Sequence, residues 1–423
     1  MGHNRASSPV FRFRSYLTLI RLGIVAIPCA FLGLVADVPR LLAAHGVPVK
    51  TGIDVYEAMN SEPFAGKRVG LITNQTGVDS EGRRTIDIFA GRKDLKLVAL
   101  FSPEHGISGS KDEAKIADAV EEKTGVPIFS LYGDTRRPTD DMLKGIDLLV
   151  FDMQDAGVRF YTYVTTMAYC MEAAAKNHIE FVVMDRPDPL GGVVIEGPML
   201  DADRTSFTAY FPMPVRYGMT LGELARMFNA ENHIGADLRV IKLQGWHRGE
   251  EYAQTALKWI PPSPNLRTLN ESFLYPGIEI VQAGGVSVGR GTGTPFEVVG
   301  APWIRGSELA LELNRRKIPG VSFAATQFTP NDGVFRGQGC HGVKITVTDR
   351  SGLRSVRVGL EIADALHRTY PDQFQLGRII ALLGSQPTIA KLEHGSPPRE
   401  IIASWGNDLD KFAKMREKYL LYH

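Results

Sequence analysis

Five short runs in the first half of the chain are apolar on both faces: "KRVGLIT" (67–73), "LKLVALF" (95–101), "VPIFSLY" (126–132), "IDLLVFD" (146–152) and "IEFVVMD" (179–185). A strand that is half solvated alternates apolar with polar residues, so runs like these belong in a sheet covered on both sides, which is the habit of parallel sheets. The stretches between them, "RTIDIFAGR", "TDDMLKG" and "VTTMAYCMEAAAKN", carry apolar residues at helical spacing. Strand and helix in alternation define the α/β class.

Each run ends in a polar, glycine-bearing loop: "NQTG" from Asn74, "SPEHG" from Ser102, "GDTRRP" from Gly133, "MQDAGVRFYTY" from Met153 and "RPDPLGG" from Arg186. In a parallel sheet these loops all leave at the carboxyl ends of the strands, where open α/β sheets place their ligands. A convergent polar rim is therefore expected there. After about residue 215 the pattern changes to "TLGELARMFNAE" (helix), "DLRVIKL" (strand), the irregular "WIPPSPNLRT" and the glycine-rich "QAGGVSVGRGTGTPFE". Beyond lie a helix in "ELALELNRRK", strands in "VSFAATQF" and "GVKITVT", and an amphipathic helix in "SVRVGLEIADALHRTY". The expected organisation is an α/β domain over 51–210 and a smaller α+β domain over 211–423.

The first 50 residues stand apart. Arg5, Arg12 and Arg14 precede "YLTLIRLGIVAIPCAFLGLVA", the basic-then-apolar order of an export segment, with Ala43 and Ala44 downstream for cleavage. Export to the periplasm or beyond is the expectation, with a membrane anchor through the same segment as the alternative. A net charge of +1 excludes a global field for nucleic acid or an anionic membrane. The three cysteines, Cys29, Cys170 and Cys340, have no metal-type spacing and imply no disulfide framework. "GRGTGTP" lacks the Lys-Ser/Thr of a phosphate loop, and "GLITNQTG" lacks the dinucleotide fingerprint, so neither nucleotide nor cofactor is expected. That opposes a cytoplasmic dehydrogenase. No metal motif is present either.

What remains is hydrolase chemistry by carboxylates. Glu104 and His105 place an acid beside an imidazole in a tight loop, where partial burial can raise a carboxyl into the range of a general acid. Asp152, Gln154, Asp155, Arg159, Tyr161 and Tyr163 put acids, an amide, a guanidinium and phenols at one strand mouth. That mixture suits a polyhydroxylated, partly anionic ligand. Asp185 and Arg186 add to it from the next loop.

Taken together, "TNQTG", "SPEHG", "SLYG", "DMQDAGVRFYTY", "DRPDPLGG", "GMTLGELA", "PPSPNLRT", "YPG" and "GRGTGTPFE" resemble the NamZ-type exo-β-N-acetylmuramidases over about residues 50 to 420. The resemblance implies a Rossmann-like N-terminal domain, a smaller C-terminal domain and a cleft that removes N-acetylmuramic acid from the non-reducing ends of peptidoglycan-derived saccharides. It makes Glu104 of "SPEHG" the leading catalytic residue, with His105 beside it. A second acid, Asp155 ahead of Asp152, is expected to serve as base, nucleophile or orienting group for the substrate's acetamide. Asn74, Gln75 and Tyr132 join the expected substrate contacts, and Arg159, Arg186 or Arg290 is expected to hold the lactyl carboxylate. One departure is visible: relatives carry a Glu-Gly-Thr-Asn-like stretch where this chain has Gln282, Ala283, Gly284 and Gly285. Loss of a carboxylate there keeps open the alternative of a non-catalytic muropeptide-binding protein.

Overall fold

The two-faced apolar runs lie side by side in one sheet. In the computed structural model, which describes residues 48–59 and 63–423, the strands are β1 (Arg68–Thr73), β2 (Lys96–Ser102), β3 (Ala119–Val120), β4 (Pro127–Ser130), β5 (Leu148–Asp152) and β6 (Glu180–Met184). There follow β7 (Glu196–Met199) and β8 (Pro214–Arg216), which form a separate antiparallel pair, and then β9 (Leu238–Ile241). The export-like segment and Cys29 lie outside the described residues. Among the described residues no helix is long and apolar enough to cross a membrane.

The large sheet has the order β3-β4-β2-β1-β5-β6-β9 and is parallel except for β3, which runs antiparallel to β4. Apart from β3, the chain steps outward from β1 through β2 to β4, returns to β5, and steps the other way. That is the order of a doubly wound sheet, whose crevice opens where the direction of stepping reverses. Here the reversal falls between β1 and β5. Strand β5 is buried along its whole length, as a central strand covered on both faces must be.

Two expectations need correction. Strand β9 pairs with β6 through Phe181–Leu238 to Met184–Ile241, so the sheet runs past residue 210 and the expected boundary at 210/211 cuts through it. The helix α4 (Leu221–Glu231), capped by Thr220 and Glu223, is the crossover that delivers β9, completing one more βα unit. "TDDMLKG" forms turns rather than a helix. It is a single short segment, and it ends at Gly145 with φ +78°, a left-handed backbone that stops helical winding.

Helices α1 (Gly52–Glu57), α2 (Thr85–Gly91) and α3 (Thr162–Lys176) precede α4; α5 (Leu269–Gln282), α6 (Gly306–Arg315), α7 (Ser355–Thr369) and α8 (Ile380–Leu383) follow it. The second part adds an antiparallel sheet in the order β10 (Val298–Ala301), β12 (Cys340–Val347), β11 (Val321–Phe328). Helices α5 and α7 cross backbone to backbone: a Cβ on Gly277 would lie 1.7 Å from the Ser355 carbonyl oxygen, and one on Gly359 would lie 2.2 Å from that of Gly277. This close crossing fixes α5, which carries Tyr275 and Glu279 to the mouth of the large sheet.

Candidate active site

Where β2 ends at Ser102, Pro103 lacks the N–H needed to continue the ladder, and the chain turns. Glu104 follows in that turn. His105 has φ +69°, an uncommon left-handed conformation for a side-chain-bearing residue, and Gly106 continues it at +73°. The Lys111 carbonyl can only accept, so the His105 Nδ1 that lies 2.7 Å from it carries the proton. In the neutral ring Nε2 is then an acceptor.

Glu104 is anchored from the helix that follows β5, two strands away from β2 in the sheet. The Thr162 hydroxyl, at the first residue of α3, donates to Glu104 Oε2 at 2.6 Å. Tyr163 reaches the same loop, its hydroxyl standing 3.3 Å from the Glu104 carbonyl and 2.8 Å from that of Pro262. Glu104, His105 and Thr162 line a cavity of about 420 Å³ over the carboxyl ends of the strands. Its other walls are Tyr132 and Arg136 from the loop after β4, Phe160 and Tyr161 after β5, and Ser206 to Thr208. The second part closes it with Tyr275, Glu279, Arg290, Phe296 and Leu382, and Asp112 and Ser263 complete it.

The phenols here are neutral donors. Burial, then the charge of Glu104, pushes the Tyr132 hydroxyl up to about 12. Burial also carries Tyr161 and Tyr275 well above the ordinary tyrosine value. Burial opposes the charge on Arg290, but its acidic neighbours together, Glu279 at 2.8 Å first among them and Asp112 with it, outweigh burial and hold the guanidinium above its usual range.

Of the residues singled out from sequence, Glu104, His105, Tyr132, Tyr161 and Arg290 line this cavity. Asn74, Gln75, Asp152, Gln154, Asp155, Arg159, Tyr163, Asp185 and Arg186 do not, and each has other partners. Asn74 donates to the Tyr163 hydroxyl at 2.9 Å, and Gln75 donates to the Pro261 carbonyl at 2.7 Å. Asp152 is fully buried between Arg186, whose Nε lies 2.7 Å away, and the Thr85 hydroxyl. Gln154 donates to the Pro187 and Asp155 carbonyls. Asp185 accepts from Thr220, Gly222 and the Tyr422 hydroxyl, tying the chain's end to the sheet. Arg159 spreads over four carbonyls, those of Pro198, Met213, Leu382 and Leu383.

Asp155 accepts from the Gly157 N–H at 2.8 Å and from the Tyr217 hydroxyl, behind the cavity wall. Burial pushes it up to about 6 and its neighbour Asp188 to about 7, against the ordinary 3.8. Both folded-state values exceed the unfolded one, so between about pH 4 and 7 the folded protein holds more protons and stability falls as pH rises. Asp188→Asn is expected to flatten that fall. Urea midpoints at pH 4.5 and 7.5 would check it: an unchanged difference between them would show that Asp188 does not titrate in this window.

Residues that sequence reasoning missed include Asp112, Arg136, Thr162, Phe207, Tyr275 and Glu279. The loop "GDTRRP" was a signal for Arg136. Glu279 also bears on the departure at 282–285: it stands one helical turn before Gln282, and both grip Arg290, at 2.8 and 3.0 Å. The cavity therefore keeps a carboxylate on this wall.

Comparison with known proteins agrees with this architecture. Residues 69–270 match the family "Exo-beta-N-acetylmuramidase NamZ, N-terminal" and residues 273–422 its C-terminal counterpart. The chain belongs to the NamZ exo-β-N-acetylmuramidase family. The two matches meet near residue 271, past β9, as the sheet requires. A Bacillus subtilis (strain 168) relative, "Peptidoglycan beta-N-acetylmuramidase NamZ", is 44% identical over 378 residues, covering 88% of this chain and 91% of the relative. A crystal structure of a DUF1343 family protein from Bacteroides fragilis NCTC 9343 is 38% identical with a TM-score of 0.83, covering 89% of this chain and all of that one. A second from the same organism is 31% identical with a TM-score of 0.75, covering 89% of this chain and 99% of that one.

Proposed function

We propose that the chain is an exo-β-N-acetylmuramidase that hydrolyses the terminal, non-reducing N-acetylmuramic acid from peptidoglycan fragments, with Glu104 as general acid. The observation that carries this reading is the Glu104–Thr162 pair, which holds a carboxyl at the wall of a cavity rich in phenols and arginines, within a chain of this family. Glu104 donates its proton to the leaving glycosidic oxygen, and the Thr162 hydroxyl fixes the rotamer that aims it. Phe160, Tyr161, Tyr275 and Phe296 supply apolar faces for a sugar ring, while neutral hydroxyls and His105 meet its polar edge.

Neither Asp155 nor Asp152 lines the cavity, so the second acid is assigned elsewhere. That role falls to Asp112 or Glu279, the remaining carboxylates of the wall among the described residues, or to the substrate's acetamide oriented by one of them. Asp112 accepts from Asn265 at 3.1 Å, and Glu279 is paired with Arg290.

The work is placed outside the cytoplasm. Support for this comes from the arginines and apolar run of the first 50 residues, read as an export segment. A chromogenic β-N-acetylmuramide tests the reading directly. The protein is expected to release its chromophore and to leave the matching glucosaminide much less affected. Tight binding of muropeptides without any release would instead identify a binding protein.

A further inference from the structure

We infer that Arg136, in the loop after β4, is the residue that recognises the lactyl carboxylate and so sets the preference for muramic acid over glucosamine. The inference rests on the muramidase reading and assigns a specificity to one wall of that site.

Among the described residues two arginines line the cavity, and they are in opposite electrostatic states. Arg290 is already satisfied: its Nη2 lies 2.8 Å from Glu279, its Nε lies 3.0 Å from Gln282, and Asp112 is 3.9 Å from its Nη1. A ligand carboxylate there would have to compete with two acids. Arg136 has no carboxylate within ion-pair distance among the described residues, and its guanidinium lies 4.4 Å above the Phe207 ring. Phe207 is in turn packed against Tyr132, with ring centroids 6.0 Å apart. Stacking on an aromatic face orders the guanidinium plane while leaving its N–H edge available, which is the arrangement that suits bidentate carboxylate binding.

Position agrees with charge. Strands β2 and β4 are parallel neighbours, so the loops bearing Glu104 and Arg136 emerge side by side, with Tyr132 interacting with both. A sugar whose anomeric oxygen meets Glu104 carries its lactyl ether on a ring carbon two positions away. With that edge of the ring turned toward the loop after β4, the substituent that separates muramic acid from glucosamine meets an unneutralised cation. Arg159 and Arg186 are excluded because both are buried against other partners outside this cavity.

The test is Arg136→Met, which keeps the aliphatic stem and removes the charge, with Arg136→Lys beside it. On the chromogenic muramide, kcat/KM is expected to fall roughly 10- to 100-fold in the methionine variant, the range for a lost charge-assisted hydrogen-bond pair. The glucosaminide should change by less than about threefold, and lysine should restore part of the loss because it returns the charge without the planar fork. Equal losses on both glycosides, or none on the muramide, would overturn the assignment. Binding of free N-acetylmuramic acid and N-acetylglucosamine gives an independent readout: the wild type should prefer the acid, and the methionine variant should not. Should the wild type release nothing from either glycoside, the muramidase reading fails, and the binding preference still decides the role of Arg136.

Discussion

Glu104→Gln is expected to lower turnover of a β-N-acetylmuramide by roughly a thousandfold while leaving the fold intact, the scale on which a positioned general acid acts. The substitution keeps the shape of the side chain. Thr162 can still donate, now to the amide oxygen, so the contact between the loop and α3 survives. What disappears is the transferable proton. The deficit should therefore depend on the leaving group, being largest for a sugar aglycone that needs protonation and smaller for an acidic phenol that departs readily as an anion. A variant with near-normal turnover on both leaving groups would remove Glu104 from the mechanism. Asp155→Asn is the informative contrast: it alters a buried carboxyl held by Gly157 and Tyr217 behind the wall, so its effect should appear in stability and hardly in kcat.

This contrast marks the limit of what strand-end residues reveal in a sequence. The two-faced apolar runs identified the strands, and their loops identified the edge at which the cavity opens. Glu104 and His105 were legible because they follow a strand directly within a short loop, whereas Tyr132, read as the end of the strand run 126–132, entered only through the family motif "SLYG". The residues after β5 have two destinations. Tyr161 lines the cavity, whereas Gln154, Asp155 and Arg159 turn into the protein and satisfy carbonyls and N–H groups left over where the sheet ends. Polar composition is the same in both cases, so composition does not separate them. Two further residues were hidden for a different reason. Tyr275 and Glu279 lie on α5, whose interior Pro276 reads as a helix breaker; the Thr268–Glu271 capping box and the glycine crossing with α7 hold the helix together around it. Strand β9 was recognised as a strand, but its partner β6 lies more than fifty residues earlier, and pairing at that separation leaves no local trace.

Arg159 gives the second large effect, one of stability. Its side chain is 1% exposed, and burial pushes its pKa down to about 9, so the guanidinium is charged at neutral pH. Nη1 donates to the carbonyls of Pro198, in β7, and Met213, just before β8, and Nη2 to those of Leu382 and Leu383 at the end of α8. Gly384 follows with φ +70°, and a Cβ there would lie 2.7 Å from Nη2, so the chain passes too close for any larger residue. Arg159→Met retains most of the packing volume and removes at once the Arg159 donor of the Pro198, Leu382 and Leu383 carbonyls, while the Met213 carbonyl keeps the Leu200 N–H at 3.1 Å. A loss of about 3–5 kcal/mol is expected, measured from the urea midpoint at constant slope. Because Leu382 is also a cavity wall, activity should fall on muramide and glucosaminide together, and it should recover in part on cooling or with a stabilising osmolyte. A carboxylate-binding arginine would behave in the opposite way, with an unchanged midpoint and a loss confined to the muramide. The pair of readouts separates the clamp at Arg159 from the recognition assigned to Arg136, two roles that a sequence presents with the same residue type, each in a loop that follows a strand.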